Sequence, residues 1–272
     1  MSPDLYFALT LAIKLGITAA FVVFASMVAE RAGPLVGAMV STLPIYSGPA
    51  YVFLALDRDT AFLAQSAVTS LAVNAATAGF ALIYAGVAQS QRLAVSLPIA
   101  LGAWFVFSLA IEHLRWDLVT AVALNVVAFI VCIPLSRRFL HAKLRFAAWR
   151  WYDIPLRAAM VASLVVAVVG LSGRVGPAIT GILAVFPIVL TSLILILQPR
   201  IGGPATAAVI AHTIWGLVGF GMALVMVCVA VIPFGAAVAL ALGLTASVGW
   251  NLMIWKARRR RHAAGVTRFQ GS

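Results

Sequence analysis

Two prolines, each beside a cluster of hydroxyl side chains, are the positions in this chain best suited to bind a polar ligand. Pro44 and Pro187 each fall near the middle of a long apolar stretch. Proline has no N–H, and its ring clashes with the preceding helical turn, so a helix breaks there and nearby carbonyls lose their donors. Freed carbonyls and hydroxyls together can hold a small polar solute. The predicted solute-binding residues are Ser41, Thr42, Pro44, Tyr46, Ser47, Thr180, Pro187, Thr191 and Ser192.

The same pattern has a plainer interpretation that the sequence leaves open. Each proline would then only kink a helix, and the neighbouring Ser and Thr hydroxyls would bond back to carbonyls of their own helix. The placement of the two prolines at matching depths favours the binding interpretation.

Ionisable residues within or beside apolar stretches are candidates for coupling or gating. His212 lies inside such a stretch and titrates near neutrality, so it is suited to carry a coupling proton. The alternatives are a packed, hydrogen-bonded His212 and a Lys14 whose ammonium extends to the membrane surface. The predicted coupling or gating residues are Lys14, Arg31, Arg174 and His212.

The chain lacks the sequence patterns of common enzymes and metal sites. No Walker A, GxSxG, HExxH, CxxC or EF-hand pattern occurs. The acidic residues fall at the ends of apolar stretches, so we expect no enzyme activity, no cofactor and no bound metal. The polar groups that remain are cationic or neutral, which favours an anionic or zwitterionic small solute. Asn74 and Asn125 are expected to form hydrogen bonds between helices.

The composition identifies the kind of protein that carries these residues. Of 272 residues, 64% are hydrophobic and 10% are charged, with a mean hydropathy of +1.09. Soluble domains have about 25% charged residues, so this composition predicts an all-α polytopic membrane protein. Nine transmembrane helices are predicted, at about 5–29, 34–56, 61–88, 93–111, 117–135, 156–172, 176–198, 204–230 and 232–255.

The basic residues predict the orientation. With nine spans and a cytoplasmic C-terminus, fifteen Lys and Arg residues lie on the cytoplasmic side and three on the outside. This distribution follows the positive-inside rule and puts the N-terminus outside a bacterial-type inner membrane. Segment 136–155 alternates basic and aromatic residues, which is typical of a short stretch in the headgroup layer. The net charge of +12 is therefore a topology signal, and no nucleic-acid partner is expected.

An internal repeat relates the two halves of the chain. The pattern R-x-G-P, nine residues and P-I occurs twice at an offset of 143 residues, and five spans separate the two copies. An odd number of spans inverts the second copy in the bilayer, so a 5+4 inverted repeat with broken helices 2 and 7 is predicted. The segments are 1–135 (first repeat), 136–155 (loop), 156–255 (second repeat) and 256–272 (basic tail). The matched residues are Arg31 with Arg174, Gly33 with Gly176, Pro34 with Pro177, Pro44 with Pro187, and Ile45 with Ile188.

On this repeat and these two prolines, the chain resembles the inverted-repeat carriers of bile-acid symporter-like and auxin-efflux-like architecture. The resemblance implies helices that break and cross near the bilayer centre, and alternating access for a small-molecule solute. The expected function is secondary transport, and the expected partners are the bilayer, the solute and, as an open option, a second copy in a homodimer. The alternative is a lipid-interacting membrane protein, either a flippase or a non-catalytic subunit of an envelope-biosynthesis complex.

Overall fold

The computed structural model describes residues 47–140, 150 and 152–269, together with twelve helical residues between 9 and 27; side chains are described as far as residue 257. Regular structure in these residues is entirely helical. The predicted break at Pro44 lies outside the described residues, as does most of the basic and aromatic segment. The predicted site residues that fall outside them are Lys14, Arg31, Ser41, Thr42, Pro44 and Tyr46.

Seven α-helices and one short 3-10 turn, at Arg137–Phe139, follow one another between residues 47 and 269. Five of them are long and apolar enough to cross a membrane, namely α2, α3, α4, α5 and α7, and α6 is a shorter apolar helix. Together with the exposed apolar side chains on their outer faces, such as Val106, Val119 and Ile130, they support a membrane protein. The helices are α1 (Ser47–Asp57), α2 (Thr60–Val87), α3 (Leu93–Glu112), α4 (Leu118–Ser136), α5 (Asp153–Ala184), α6 (Ile188–Ile201) and α7 (Gly203–Phe269).

Two of the predicted boundaries between spans are single glycines rather than loops. Predicted spans 156–172 and 176–198 meet inside α5, where only Gly176 leaves the helical conformation (φ 74°, ψ 177°). Predicted spans 204–230 and 232–255 likewise meet inside α7 at Gly235 (φ 79°, ψ 167°). This region of the backbone map is open essentially only to glycine. The described chain therefore has seven continuous α-helices where the sequence predicted nine separate spans over its whole length.

The predicted break in the second half of the chain lies where Pro187 was expected to cause it. Helix α5 ends at Ala184, α6 begins at Ile188, and three residues separate them. Predicted span 176–198 is thus two half-helices in the structure. The corresponding feature at Pro44 stays a prediction.

Helix α2 is the centre of the described fold. In its most apolar 18-residue window 78% of residues are buried, against 22–33% in the other four long helices. Its neighbours are α3, α4, α5 and α7, which approach closely because many of its buried positions are alanine, for example Ala67, Ala72 and Ala81. Polar side chains on α2 consequently face the interior of the bundle and not lipid.

Two carboxylates are committed to capping helices. Asp59 accepts a hydrogen bond from Phe62 N at 2.8 Å at the start of α2. Asp117 forms a capping box with Thr120 at the start of α4, and the backbone hydrogen bond from Thr120 lowers the pKa of this exposed carboxyl. These groups stabilise helix ends, which agrees with the expectation that the acidic residues play no part in an intramembrane site.

Candidate functional site

The break at Pro187 rearranges the backbone hydrogen bonds between α5 and α6. Ile188 N–H would donate to the Ala184 carbonyl in a continuous helix, but it donates to Phe186 O at 2.6 Å. Phe186 N–H donates to Leu183 O at 3.1 Å, the carbonyl that Pro187 cannot reach because it has no N–H. The Ala184 carbonyl therefore loses its helical donor at the end of α5. The sequence predicted freed carbonyls at 183–184, and Ala184 fits that description better than Leu183.

A cavity of ≈ 80 Å³ lies against this break. Its walls include the three linking residues Val185, Phe186 and Pro187 and the first turn of α6. Four polar side chains from α1, α2 and α7 also line it, and the remaining lining side chains are apolar. A volume of this size holds a few water molecules or a solute of a few heavy atoms. The polar lining residues are Ser47, Asn74, Thr77 and Thr213.

Asn74 is fully buried on α2 and has one oriented amide in this cavity wall. Its Nδ2 donates to Asn125 Oδ1 at 2.9 Å and to Leu217 O at 3.1 Å. Asn125 in turn donates to Leu71 O at 2.5 Å, which ties α4 to α2. The Oδ1 of Asn74 is buried and has no hydrogen-bond partner in the described structure. The expected interhelical bonds of both asparagines are present, and they leave Asn74 with one unused acceptor.

An aromatic contact holds the linking segment in place. The ring of Phe186 meets the ring of Trp104 on α3 edge to face, with centroids 5.2 Å apart. Trp104 is 1% exposed and donates from Nε1 to Thr77 Oγ1 at 3.1 Å. One indole therefore positions both a cavity hydroxyl and the residue next to Pro187.

A relay of hydroxyls closes one end of the cavity. Tyr51 Oη donates to Ser70 Oγ at 2.7 Å, and Ser70 Oγ donates to Gly181 O at 2.7 Å. The contact is close, since a Cβ on Gly181 would lie 2.4 Å from Ser66 O. We call Tyr51, Ser70 and Gly181 the Ser70 closure. It joins α1, α2 and the last turn of α5.

A second polar cluster closes the opposite end. Gln198 near the end of α6 accepts at Oε1 from Tyr84 Oη at 2.9 Å and from Ser96 Oγ at 3.0 Å. Its Nε2 donates to Gln91 O at 3.2 Å. We call Tyr84, Gln91, Ser96 and Gln198 the Gln198 closure. It joins α2, α3 and α6.

The order of residues along two segments places the cavity between the closures. On α2, the lining residues Asn74 and Thr77 come after Ser70 and before Tyr84. Along α5 and α6, residues 184–190 line the cavity and fall between Gly181 and Gln198. At about 1.5 Å per residue, each closure lies within roughly 6–12 Å of the nearest lining residue along its helix. Both closures are formed, so the structure is closed at both ends.

An ion pair reinforces the Gln198 end. Arg200 donates from Nη1 to Asp153 Oδ2 at 2.6 Å, and its second Nη bonds to Asp153 Oδ1. The pair ties the last turn of α6 to the first residue of α5. Arg150 donates to Tyr152 Oη at 2.6 Å, which lowers the pKa of that exposed phenol.

A larger cavity of ≈ 310 Å³ lies beyond the Ser70 closure. It is bordered by Gln65 and Thr69, which precede Ser70 on α2, and by Ala178, which precedes Gly181 on α5. Glu112 and Arg115 add charge to its rim. We call it the vestibule.

The other predicted binding residues in the second half of the chain lie near the break without lining the cavity. Thr180 and Ser192 are buried and bond back to Gly176 O at 2.6 Å and Val189 O at 2.8 Å, as the plainer interpretation expected. Thr191 is also buried, and its hydroxyl has no partner in the described structure. Of the predicted binding residues that the structure describes, Ser47 and Pro187 line the cavity.

The two predicted coupling residues that the structure describes lie away from the cavity walls. Arg174 is exposed two residues before Gly176. His212 is half-buried next to Thr213, and its Nδ1 lies 2.7 Å from Ala208 O on the same helix. The role of His212 in coupling stays a prediction.

Sequence reasoning did not single out Ser70, Trp104 or Gln198 as functional residues. Each is a polar or aromatic residue within an apolar segment, and such residues are expensive to bury without a partner. That signal could have marked them, but their partners are far away in sequence.

The comparisons with known proteins leave the assignment to the geometry. A search of protein families, of curated proteins and of solved structures finds no match for this chain. Within the described residues, no group of three or more His, Cys, Asp or Glu side chains is placed to hold a metal ion.

Proposed function

We propose that this protein is a secondary carrier that moves a small polar solute across a membrane through the cavity at the Pro187 break. The observation that supports this most directly is the position of the cavity, which has polar walls and lies between two hydrogen-bonded closures. A carrier needs a central site that opens to one side at a time. Two separable closures on the same pair of segments supply that requirement.

The inverted repeat adds support, because the cavity is bordered by residues that the repeat makes equivalent. At the offset of 143 residues, Ser47 corresponds to Leu190, Asn74 to Leu217 and Thr77 to Phe220, and all six line the cavity. Equivalent residues meet only near the axis that relates them. Asn74 donates a hydrogen bond to the carbonyl of its own counterpart, Leu217, at 3.1 Å. The proposed two-fold axis therefore passes beside the cavity.

Helix starts keep the same offset. Helix α2 begins at Thr60 and α7 at Gly203, which are 143 residues apart. Leu93 begins α3, and its counterpart Ala236 directly follows the non-helical Gly235. This register favours a duplicated architecture in which one half exchanges conformations with the other.

The positive-inside distribution orients the proposed cycle. It places the vestibule and the Ser70 closure outside and the Gln198 closure, with the Arg200–Asp153 pair, in the cytoplasm. Opening the Ser70 closure would admit solute from the vestibule. Opening the Gln198 closure would release it inside, and the closed structure is the intermediate between these states.

Cysteine labelling from each side of the membrane tests the proposal. Cys132 and Cys228 are replaced by serine, and Ser47→Cys is introduced as the cavity reporter, with Arg115→Cys and Arg259→Cys as markers for the outside and the cytoplasm. A membrane-impermeant maleimide should reach position 115 only from outside and position 259 only from inside, and it should reach position 47 slowly from both sides. A reporter at position 47 that is labelled from neither side, but by a lipid-soluble maleimide, would instead indicate a lipid-facing groove and a flippase.

Replacing His212 with glutamine tests proton coupling. Glutamine keeps a hydrogen-bonding side chain but does not titrate. If His212 carries the coupling proton, solute accumulation driven by a pH gradient should fall at least about tenfold in proteoliposomes, while solute exchange at equal pH continues. Unchanged accumulation would show that His212 is a packed polar residue.

A further inference from the structure

The two half-helices that meet at Pro187 present opposite ends to the cavity. Helix α5 ends at Ala184, whose carbonyl has lost its helical donor because Ile188 N–H donates to Phe186 O. Helix α6 begins at Ile188, and no described side chain caps it. The first N–H groups of a helix have no acceptor within the helix. The C-terminal end of a helix carries a partial negative charge and the N-terminal end a partial positive charge.

Asn74 provides a second, independent indication of a ligand. Its residue is 0% exposed, its Nδ2 donors are used by Asn125 and Leu217, and its Oδ1 has no partner although the side chain lines the cavity. A buried acceptor without a donor is unusual in a folded protein. A ligand with an N–H donor would satisfy it.

The rest of the described lining limits the charge and size of that ligand. It contains no Asp, Glu, Lys or Arg side chain, so no full charge is available to balance a net ion. The wall contributed by Leu190, Leu217 and Phe220 is apolar, and the volume is ≈ 80 Å³. A small molecule with both a positive and a negative group, and no net charge, fits these walls best.

We propose that the cavity binds a small zwitterionic amino acid. Its carboxylate would accept from the first turn of α6, and its ammonium group would donate to Asn74 Oδ1 and to the Ala184 carbonyl. The inference rests on the proposed carrier function, because it names the substrate class of the same site. Binding is nevertheless measurable without transport.

Thermal unfolding of the purified full-length protein in detergent tests the substrate class. Glycine carries both charged groups, acetate only the carboxylate and ethanolamine only the amine. Glycine should raise the Tm in a saturable way, since a ligand that binds only the folded state stabilises it. Acetate and ethanolamine at the same concentration should raise it much less. A shift with acetate as large as with glycine would overturn the zwitterion in favour of an anion site, and an equal shift with ethanolamine would overturn it in favour of a cation site.

Asn74→Leu should weaken glycine binding by about 10- to 100-fold, the usual loss for a hydrogen bond to a charged group. The matched control is Asn251→Leu, because Asn251 is also buried, on α7, but bonds to Ser247 O and does not line the cavity. If Asn74→Leu fails to fold, the comparison of the three probes on the native protein decides the question alone. No shift with glycine would overturn the amino-acid inference, and the labelling of Ser47→Cys, which needs no ligand, would then show whether the carrier proposal stands.

Discussion

Gln198→Leu should open the cavity towards the cytoplasm and raise the labelling rate of Ser47→Cys from that side by at least tenfold. The substitution removes three hydrogen bonds, to Tyr84, Ser96 and the Gln91 carbonyl. At about 0.5–1.5 kcal/mol each, their loss destabilises the closed state by about 1.5–4.5 kcal/mol, which corresponds to roughly a 10- to 1000-fold shift in population. Labelling from the outside should not rise, because the Ser70 closure is intact.

Gln89→Leu is the control for this substitution. Gln89 has the same side chain near the end of the same helix, but it is exposed and bonds only locally, to Ala85 O at 2.8 Å. Its replacement should change labelling at position 47 by less than about twofold, as for most exposed sites. If Gln198→Leu and Gln89→Leu behave alike, the Gln198 cluster is not a closure.

Ser70→Ala should have the opposite effect and raise labelling of Ser47→Cys from the outside. The serine hydroxyl is the only link between Tyr51 and the Gly181 carbonyl that the described structure contains. Removing it breaks two buried hydrogen bonds and leaves the phenol of Tyr51 without its acceptor. The expected cost to the closed state is about 1–3 kcal/mol, or roughly a 5- to 150-fold change in the rate from outside.

Ser163→Ala provides the matched control on α5. Its hydroxyl is exposed and bonds to Ala159 O within its own helix at 2.8 Å. Loss of that bond should leave accessibility at position 47 unchanged from either side. A rise from the cytoplasmic side in Ser70→Ala would contradict the assignment of the Ser70 relay to the outer end of the cavity.

The break at Pro187 was predictable from sequence because its cause is local. A proline inside an apolar stretch removes a donor and clashes with the preceding turn wherever it occurs. The carbonyls that would be freed follow from the same geometry to within one residue, and the structure places the loss at Ala184.

Span boundaries were less predictable because a single residue can end a membrane helix. Gly176 and Gly235 each redirect the chain without a polar loop, whereas hydropathy locates boundaries by polar residues. The predicted spans therefore ended a few residues away from the observed turns.

The closures depend on contacts that no local pattern reveals. Gln198 meets Tyr84 and Ser96 across 114 and 102 residues of sequence, and Ser70 meets Gly181 across 111. Asn74 was correctly predicted to bond between helices, but its place in the cavity wall depends on how α2 packs against the Pro187 break. Packing decides which buried polar group is left with a free acceptor.

The labelling rates of Ser47→Cys from the two sides, compared between Ser70→Ala and Gln198→Leu, test the central claim most directly. The cavity, on our account, opens at one end or the other, so the ratio of outside to cytoplasmic rates should rise in Ser70→Ala and fall in Gln198→Leu. The double variant should return the ratio towards the native value, because both closures are then weakened. A ratio that moves in the same direction in both variants, or rates that rise equally from both sides in each, would contradict a central cavity with two separate closures.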